Sequence, residues 1–149
     1  MERLLKLQKR SIRIIANAKF NAHTEPLFKA LSLLKVNDIF LMQQYKFIFK
    51  LENNLLPYNF QFSMFVRNNE IHDYNTRYAT NLRIPQSRTN LAKKSIRFHI
   101  PKAYSNIPQC IKEKIYSHSF NGFCRYARSY TLNSYNVDCN IINCNICTR

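Results

Sequence analysis

Residues 36–51 (VNDIFLMQQYKFIFKL) carry apolar side chains on nearly every side of a helical wheel. A helix without a polar face is typical of one that packs against neighbours on several sides. Asn37 or Asp38 is a suitable N-terminal cap, and Asn53 and Asn54, followed by Pro57, mark the end. The stretch therefore predicts a helix at the centre of a hydrophobic core.

Weaker patterns surround this helix and predict a mainly α fold. The segment 57–92 has no sustained period and predicts a long irregular excursion, whereas residues 95–100 (SIRFHI) alternate as a short strand does. The fold class expected is a small helical cluster with a long irregular middle segment and at most one short β pair. One helical region should cover residues 1–134, with a cysteine-containing tail at 135–149. Further helices are predicted at 3–18, 25–34, 108–116 and 119–134.

Composition narrows the functional classes. The single glycine, Gly122, excludes phosphate-binding loops, which need several glycines for close backbone approach. The sequence contains no apolar run long enough for a membrane span and no apolar signal segment at its N-terminus, so an intracellular protein is expected. In that setting, the five cysteines are expected as free thiols or metal ligands instead of disulfides.

Charge is the strongest signal in the composition. The chain has 23 basic and 8 acidic residues, a formal net charge of +15. So large an excess favours a polyanionic partner, which we expect to be RNA or DNA instead of an anionic membrane surface.

Two sets of residues are candidates for that contact. A basic stripe runs along the first predicted helix, opposite its apolar side, and a second run interleaves basic residues with tyrosine in the middle segment. Stacking rings and phosphate-binding cations are the usual means of holding single-stranded RNA. The alternative is that the charges are only solvated and that Tyr74 and Tyr78 anchor the loop on the core. The candidates are Arg3, Lys6, Lys9, Arg10 and Arg13 in the stripe, and Tyr74, Arg77, Arg83, Arg88, Lys93, Lys94 and Arg97 in the middle.

Catalytic chemistry is not indicated. A polymerase holds two metal ions with clustered carboxylates, but no two acids here are adjacent in sequence. Glu70 and Asp73 are the closest pair, and His72 beside Asp73 has no neighbouring nucleophile. We expect no enzyme activity from this chain alone.

A zinc site is a second possibility. Cys139, Cys144 and Cys147 have spacings that can share one tetrahedral Zn²⁺, but a structural site needs a fourth ligand. His118 or Cys124 would have to supply it. The alternative is a tail of free thiols.

Several segments together resemble one protein family. Residues 7–15 (LQKRSIRII) resemble the LQKRAIRII run that follows the polymerase core in jockey-like reverse transcriptases of non-long-terminal-repeat retrotransposons. Two positions depart from the family's pattern, since Ile100 stands where glycine is frequent and Tyr104 where tryptophan is frequent. The other matching blocks are residues 23–28 (HTEPLF), 31–35 (LSLLK), 54–57 (NLLP), 72–77 (HDYNTR), 95–102 (SIRFHIPK) and 107–108 (IP).

The resemblance implies the C-terminal, non-catalytic part of an RNA-directed DNA polymerase, without that enzyme's polymerase core and metal-binding aspartates. Its expected partners are template RNA or target DNA and the upstream polymerase domain of the same element, with no membrane. The first predicted helix begins without a preceding cap, as a segment of a longer protein would. Two alternatives remain: a stand-alone RNA- or zinc-binding module, and a non-functional remnant of a truncated element.

Overall fold

A computed structural model describes residues 2–57, 64–72, 74 and 76–135. Its described part is mainly helical, which confirms the predicted fold class. Two short 3₁₀ helices, Asn68–Glu70 and Ala92–Lys94, lie in the middle segment. The α-helices are α1 (Glu2–Ile15), α2 (Glu25–Ala30), α3 (Val36–Glu52), α4 (Ile96–Asn106), α5 (Gln109–Ser117) and α6 (Phe120–Asn133).

The chain divides into two compact units. Unit 1 comprises the described residues of Met1–Met42 and Arg125–Arg149, and unit 2 those of Gln43–Cys124. The division falls inside α3 and inside α6, so both helices contribute residues to each unit.

The core of unit 1 is organised around Tyr135. Its ring meets the fully buried Phe28 edge to face, with 6.4 Å between ring centroids. Its hydroxyl donates to the carboxylate of Asp38 and accepts the backbone N–H of Lys35 at 3.0 Å. Burial, followed by the hydrogen bond to Asp38, raises the pKa of Tyr135, so the ring stays neutral.

Gln8 connects α1 to the link between α2 and α3. Its side-chain amide donates to the carbonyl of Leu34 at 2.8 Å and accepts the backbone N–H of Val36 at 3.0 Å. One side chain therefore satisfies a donor and an acceptor at the start of α3, where no intrahelical partner exists for the first N–H groups.

The core of unit 2 is built on Phe49. Its ring centroid lies 4.8 Å from that of Phe123 and 5.6 Å from that of Phe120. One helical turn later, Asn53 donates its side-chain amide to the carbonyls of Phe49 (2.9 Å) and Ile115 (3.1 Å), which ties the end of α3 to α5. The fully buried aliphatic side chains of this core include Ile48, Ile111 and Ile115.

The first three helices end in the same way without glycine. Asn17, Ser32 and Asn54 have φ of 47°, 51° and 55°, the left-handed conformation that usually belongs to glycine. Each is followed by an N–H that bonds back five residues; the clearest example runs from Leu33 to the carbonyl of Phe28 at 2.8 Å. These are Schellman endings, and the predicted stop of α3 at Asn53 and Asn54 is confirmed.

The strand predicted at residues 95–100 is wrong, because the segment belongs to α4. The buried residues Ile100, Ala103, Tyr104 and Ile107 follow the i, i+3, i+4, i+7 spacing of one helix face. An alternation over six residues is too short to distinguish the strand period of 2 from the helix period of 3.6. The buried side chains from Ile100 to Ile107 follow the helix period, and their packing in the core selects the helix. The one β bridge in the described residues joins Arg67 and Leu82.

Two predicted helix details also need correction. α2 ends at Ala30 instead of Leu34, because Ser32 turns the chain. Asn37 and Asp38 lie inside the first turn of α3 and are not its caps. Thr24 occupies the N-cap position of α2, but its side chain makes no capping hydrogen bond.

The outer surface of α3 is less buried than its composition predicted. Met42, Tyr45, Ile48 and Phe49 are buried, whereas Ile39 and Phe40 are exposed. None of the described helices has the length and apolar character needed to cross a membrane.

Replacing Ser32 with glycine should stabilise the protein. Glycine adopts φ near 51° without the Cβ clash of an L residue in the left-handed region, which costs about 1–2 kcal/mol. The greater conformational freedom of glycine in the unfolded chain offsets about 0.5–1 kcal/mol of that relief, so a net gain of roughly 0.5–1 kcal/mol in the free energy of unfolding is expected. Ser129→Gly is the matched control, because Ser129 is exposed inside α6, where glycine costs roughly 1 kcal/mol. Urea denaturation should shift in opposite directions for the two variants; a parallel shift would contradict the left-handed role of Ser32.

Candidate nucleic-acid interface

Two backbone hydrogen bonds close the irregular segment after α3 into a loop. The N–H of Asn68 bonds the carbonyl of Asn81 at 3.0 Å, and that of Arg83 bonds the carbonyl of Val66 at 2.9 Å. These bonds flank the bridge between Arg67 and Leu82. The buried side chains of Phe65 and Leu82 attach the base of the loop to unit 2.

An ion pair fixes the same loop to the end of α3. One terminal guanidinium nitrogen of Arg67 donates to both carboxylate oxygens of Glu52, at 2.8 and 3.0 Å. The Glu52 side chain is only 5% exposed, and it also accepts the hydroxyl of Tyr116 at 2.6 Å. Two donors therefore compensate a carboxylate that has lost most of its water.

Arg67 holds the far side of the loop as well. Its other terminal nitrogen donates to the carbonyl of Thr80 at 2.7 Å and to the hydroxyl of Tyr104 at 3.4 Å. Burial opposes the charged guanidinium, but the hydrogen bond with Tyr104 and the charge of Glu52 outweigh it and raise the pKa of Arg67. Burial, followed by the hydrogen bond to Glu52, raises the pKa of Tyr116.

The tip of the loop presents its aromatic side chains to solvent. Tyr74 is 79% exposed and Tyr78 is 61% exposed, so these rings are not the anchors of the loop. The backbone of Tyr78 is nevertheless held in place, because the side-chain amide of Asn68 donates to its carbonyl at 2.9 Å while the Tyr78 ring stays exposed. Arg77 lies between the two tyrosines in sequence and is also exposed.

Further basic residues lead from the loop into α4. The hydroxyl of Thr89 accepts the N–H of Ala92 at 3.2 Å and starts the 3₁₀ helix before α4. We call the exposed cations of this part of unit 2 the basic segment. It consists of Arg77, Arg83, Arg88, Lys93, Lys94 and Arg97.

The basic stripe of α1 lies in unit 1. Arg3, Lys6 and Arg10 are exposed, whereas Lys9 and Arg13 are half-buried. The guanidinium Nε of Arg13 donates to the carbonyl of Ala22 at 2.9 Å, so Arg13 supports the turn before α2 in addition to carrying charge.

The apolar side of α1 is only partly packed. Ile12 is buried, but Leu4, Leu7, Ile14 and Ile15 are exposed. At about 100° per residue, these four residues form a separate face between the packed face and the basic stripe. The helix therefore has three faces, and its second apolar face is uncovered by any described residue.

Internal ion pairs do not neutralise the candidate cations. Glu25 pairs with Lys35 and Glu52 with Arg67, while Asp38 accepts from Tyr135. The exposed cations of the stripe and of the basic segment form no ion pair with a carboxylate in the part of the chain that the structure describes.

The other predicted site residues do not form a cluster. Glu70 and His72 are exposed, and Asp73 lies outside the described residues. The described residues contain no group of three potential metal ligands. Cys139, Cys144 and Cys147 also lie outside the described residues, and of their suggested fourth ligands His118 is exposed and Cys124 half-buried.

Sequence reasoning missed the Glu52–Arg67 pair and its two tyrosines. Glu52 and Arg67 are 15 positions apart, and Tyr104 and Tyr116 follow on other helices. The sequence held one signal for this pair, which is the acid Glu52 at the end of an apolar helix. In a chain with so many more cations than acids, an arginine or lysine partner for such an acid is readily available.

No protein-family model matches this chain, and neither the curated proteins nor the solved structures contain a match.

Loss of Arg67 should destabilise the protein more than loss of both partners. Arg67→Met leaves the carboxylate of Glu52 desolvated and without its cation. The free energy of unfolding should therefore fall by more than the ~1 kcal/mol of an exposed ion pair and by less than the ~3–5 kcal/mol of a fully buried one. The double variant Glu52→Gln/Arg67→Met should recover part of that loss, measured by urea denaturation. Glu25→Gln, in a more exposed pair, should cost less than about 1 kcal/mol. Equal losses for Arg67→Met and the double variant would contradict a buried uncompensated charge.

Proposed function

We propose that this chain is the non-catalytic C-terminal segment of a retrotransposon RNA-directed DNA polymerase and binds RNA or DNA through basic and aromatic side chains. The single observation that carries the binding function is the set of exposed cations in the basic segment, unpaired with any described carboxylate and adjoining exposed tyrosines. The assignment to a reverse transcriptase rests on the sequence resemblance to jockey-like elements.

Electrostatics supports a polyanionic ligand. A net charge of +15 on 149 residues repels itself, and the described acids that are buried or half-buried are already engaged inside the fold. Phosphates would relieve this repulsion and release their condensed counterions on binding. The affinity is therefore expected to depend more on phosphate spacing than on base sequence.

The second apolar face of α1 supports a protein partner as well. Leu4, Leu7, Ile14 and Ile15 project their apolar surface beside exposed cations, where an ordinary solvated helix would carry polar residues. We propose that this face packs against the polymerase domain of the same element.

A stand-alone nucleic-acid-binding module is the second candidate. Each unit buries its own apolar side chains, Phe28 in unit 1 and Phe123 in unit 2 among them, without a further domain. In the first candidate a polymerase domain covers the second apolar face of α1, and in the second candidate this face has no such partner. Nucleic-acid binding is common to both candidates.

Salt dependence tests the nucleic-acid function. Affinity for a single strand should fall linearly on a log–log plot against salt, with about 0.7 of slope per phosphate contact. The variants Lys6→Gln/Arg10→Gln and Lys93→Gln/Arg97→Gln should each lower the slope by about 1.4 if both cations touch phosphates. Fluorescence anisotropy over a salt series measures both affinity and slope.

The matched control is Lys50→Gln/Arg125→Gln, which removes the same charge from exposed positions on α3 and α6. Its slope should stay near that of the unmodified protein. Equal slope changes in all three double variants would show that only net charge matters, and binding without salt dependence would overturn the phosphate-contact assignment.

Polar substitutions on the second apolar face of α1 test the protein partner. Leu7→Gln/Ile14→Gln should reduce self-association of the isolated chain and weaken its binding to a supplied polymerase domain, with little change in the free energy of unfolding. Sedimentation and a pull-down measure the two effects. Arg3→Gln, exposed on the stripe, is the control on the same helix. Unchanged association in the double variant would favour the stand-alone module.

A further inference from the structure

An open cavity of about 470 Å³ lies beneath the loop tip of unit 2. Its size falls in the range of about 300–1,000 Å³ typical of small-molecule sites. Its lining includes one aromatic residue, three amides and two aliphatic residues. We call it the amide cavity, and these residues are Tyr78, Asn68, Asn81, Asn106, Leu82 and Ile84.

The lining of the amide cavity carries no formal charge. Each amide offers both a donor and an acceptor, and the tyrosine offers a flat apolar face. A free carboxylate, phosphate or ammonium group would find no counter-charge among these residues. The lining instead fits a neutral planar ligand with hydrogen-bonding edges, which is the chemistry of a nucleobase.

Two of the three amides are available for a ligand. The side-chain amides of Asn81 and Asn106 make no hydrogen bond to another described residue. The amide of Asn68 is already engaged with the carbonyl of Tyr78, which also accepts the N–H of Asn81 at 3.1 Å. The backbone that carries the ring is therefore held in place before any ligand binds.

A neighbouring cavity provides a contrast. It has a volume of about 310 Å³, shares Leu82 with the amide cavity, and is lined by Arg67 as well as by the carboxylates of Glu52 and Glu70. Arg67 is already paired with Glu52, so the carboxylate of Glu70 leaves this lining with a net negative charge that disfavours a phosphodiester strand. Arg77 precedes Tyr78 in sequence and Arg83 follows Leu82, and both arginines are exposed. Their charges suit the phosphates on either side of a base bound in the amide cavity.

We propose that the amide cavity holds one unpaired base of a single-stranded nucleic acid. Tyr78 stacks on the face of the base, and Asn81 and Asn106 hydrogen-bond its edge. The inference rests on the proposed nucleic-acid function and adds to it a contact that involves a base instead of a phosphate.

The test compares an intact single strand with a fully abasic strand of equal length and charge. Stacking of one base is worth about 5- to 150-fold in affinity, so the 149-residue chain should prefer the intact strand by at least that lower factor. Tyr78→Ala should reduce this preference with little change in salt slope, because stacking releases no counterions. Tyr78→Phe should retain it, since the flat ring remains.

Amide variants separate the cavity from general stacking. Asn106→Leu should reduce the preference for the intact strand, whereas Asn121→Leu, an exposed amide on α6 in the same unit, should not. Circular dichroism checks that each variant is folded. If Tyr78→Ala and Asn106→Leu keep the full preference, or if intact and abasic strands bind equally to the unmodified protein with the expected salt slope, the cavity proposal is overturned while the proposed function stands. Absence of salt-dependent binding to either strand overturns the proposed function itself.

Discussion

The ion pair between Glu52 and Arg67 is the interaction on which the candidate interface depends. Glu52 is the last residue of α3, and its carboxylate is removed from water by the same packing that builds the core of unit 2. A desolvated carboxylate needs hydrogen-bonded compensation, and Arg67 and Tyr116 supply it. Because Arg67 also holds Thr80, this compensation determines where the loop returns and therefore where the exposed tyrosines and the amide cavity lie.

In both units, a carboxylate that is partly removed from water accepts a hydrogen bond from a tyrosine hydroxyl. In unit 1 the carboxylate of Asp38 accepts from the neutral Tyr135, and in unit 2 that of Glu52 is held by a cation and a tyrosine. Glu25 in unit 1 also has an internal partner, since it pairs with Lys35. The exposed cations of the stripe and of the basic segment form no ion pair with a described carboxylate, and this excess of positive charge is what favours the polyanionic ligand proposed above.

The three faces of α1 place uncovered apolar surface and exposed cations on one helix. One face packs through Ile12 and Gln8, one presents cations, and one presents aliphatic side chains to solvent. A helical wheel cannot separate the packed and the uncovered apolar faces, because both consist of leucine and isoleucine. Under the proposed function, the uncovered face meets a protein partner, and the adjacent stripe lies at the border between that partner and the nucleic acid.

The sequence by itself determined the helical class, the stop of α3 at Asn53 and Asn54, and the positions of the two sets of cations along the chain, because periodicity, turn residues and charge are local properties. It was wrong for residues 95–100, since a short alternation fits two periods until a core selects one. Only the tertiary structure placed Arg67 beside Glu52. It also placed Tyr78 and Asn106 in the lining of one cavity. Those contacts join residues 15 and 28 positions apart, and no local pattern records which distant side chain will compensate a buried charge or complete a cavity wall.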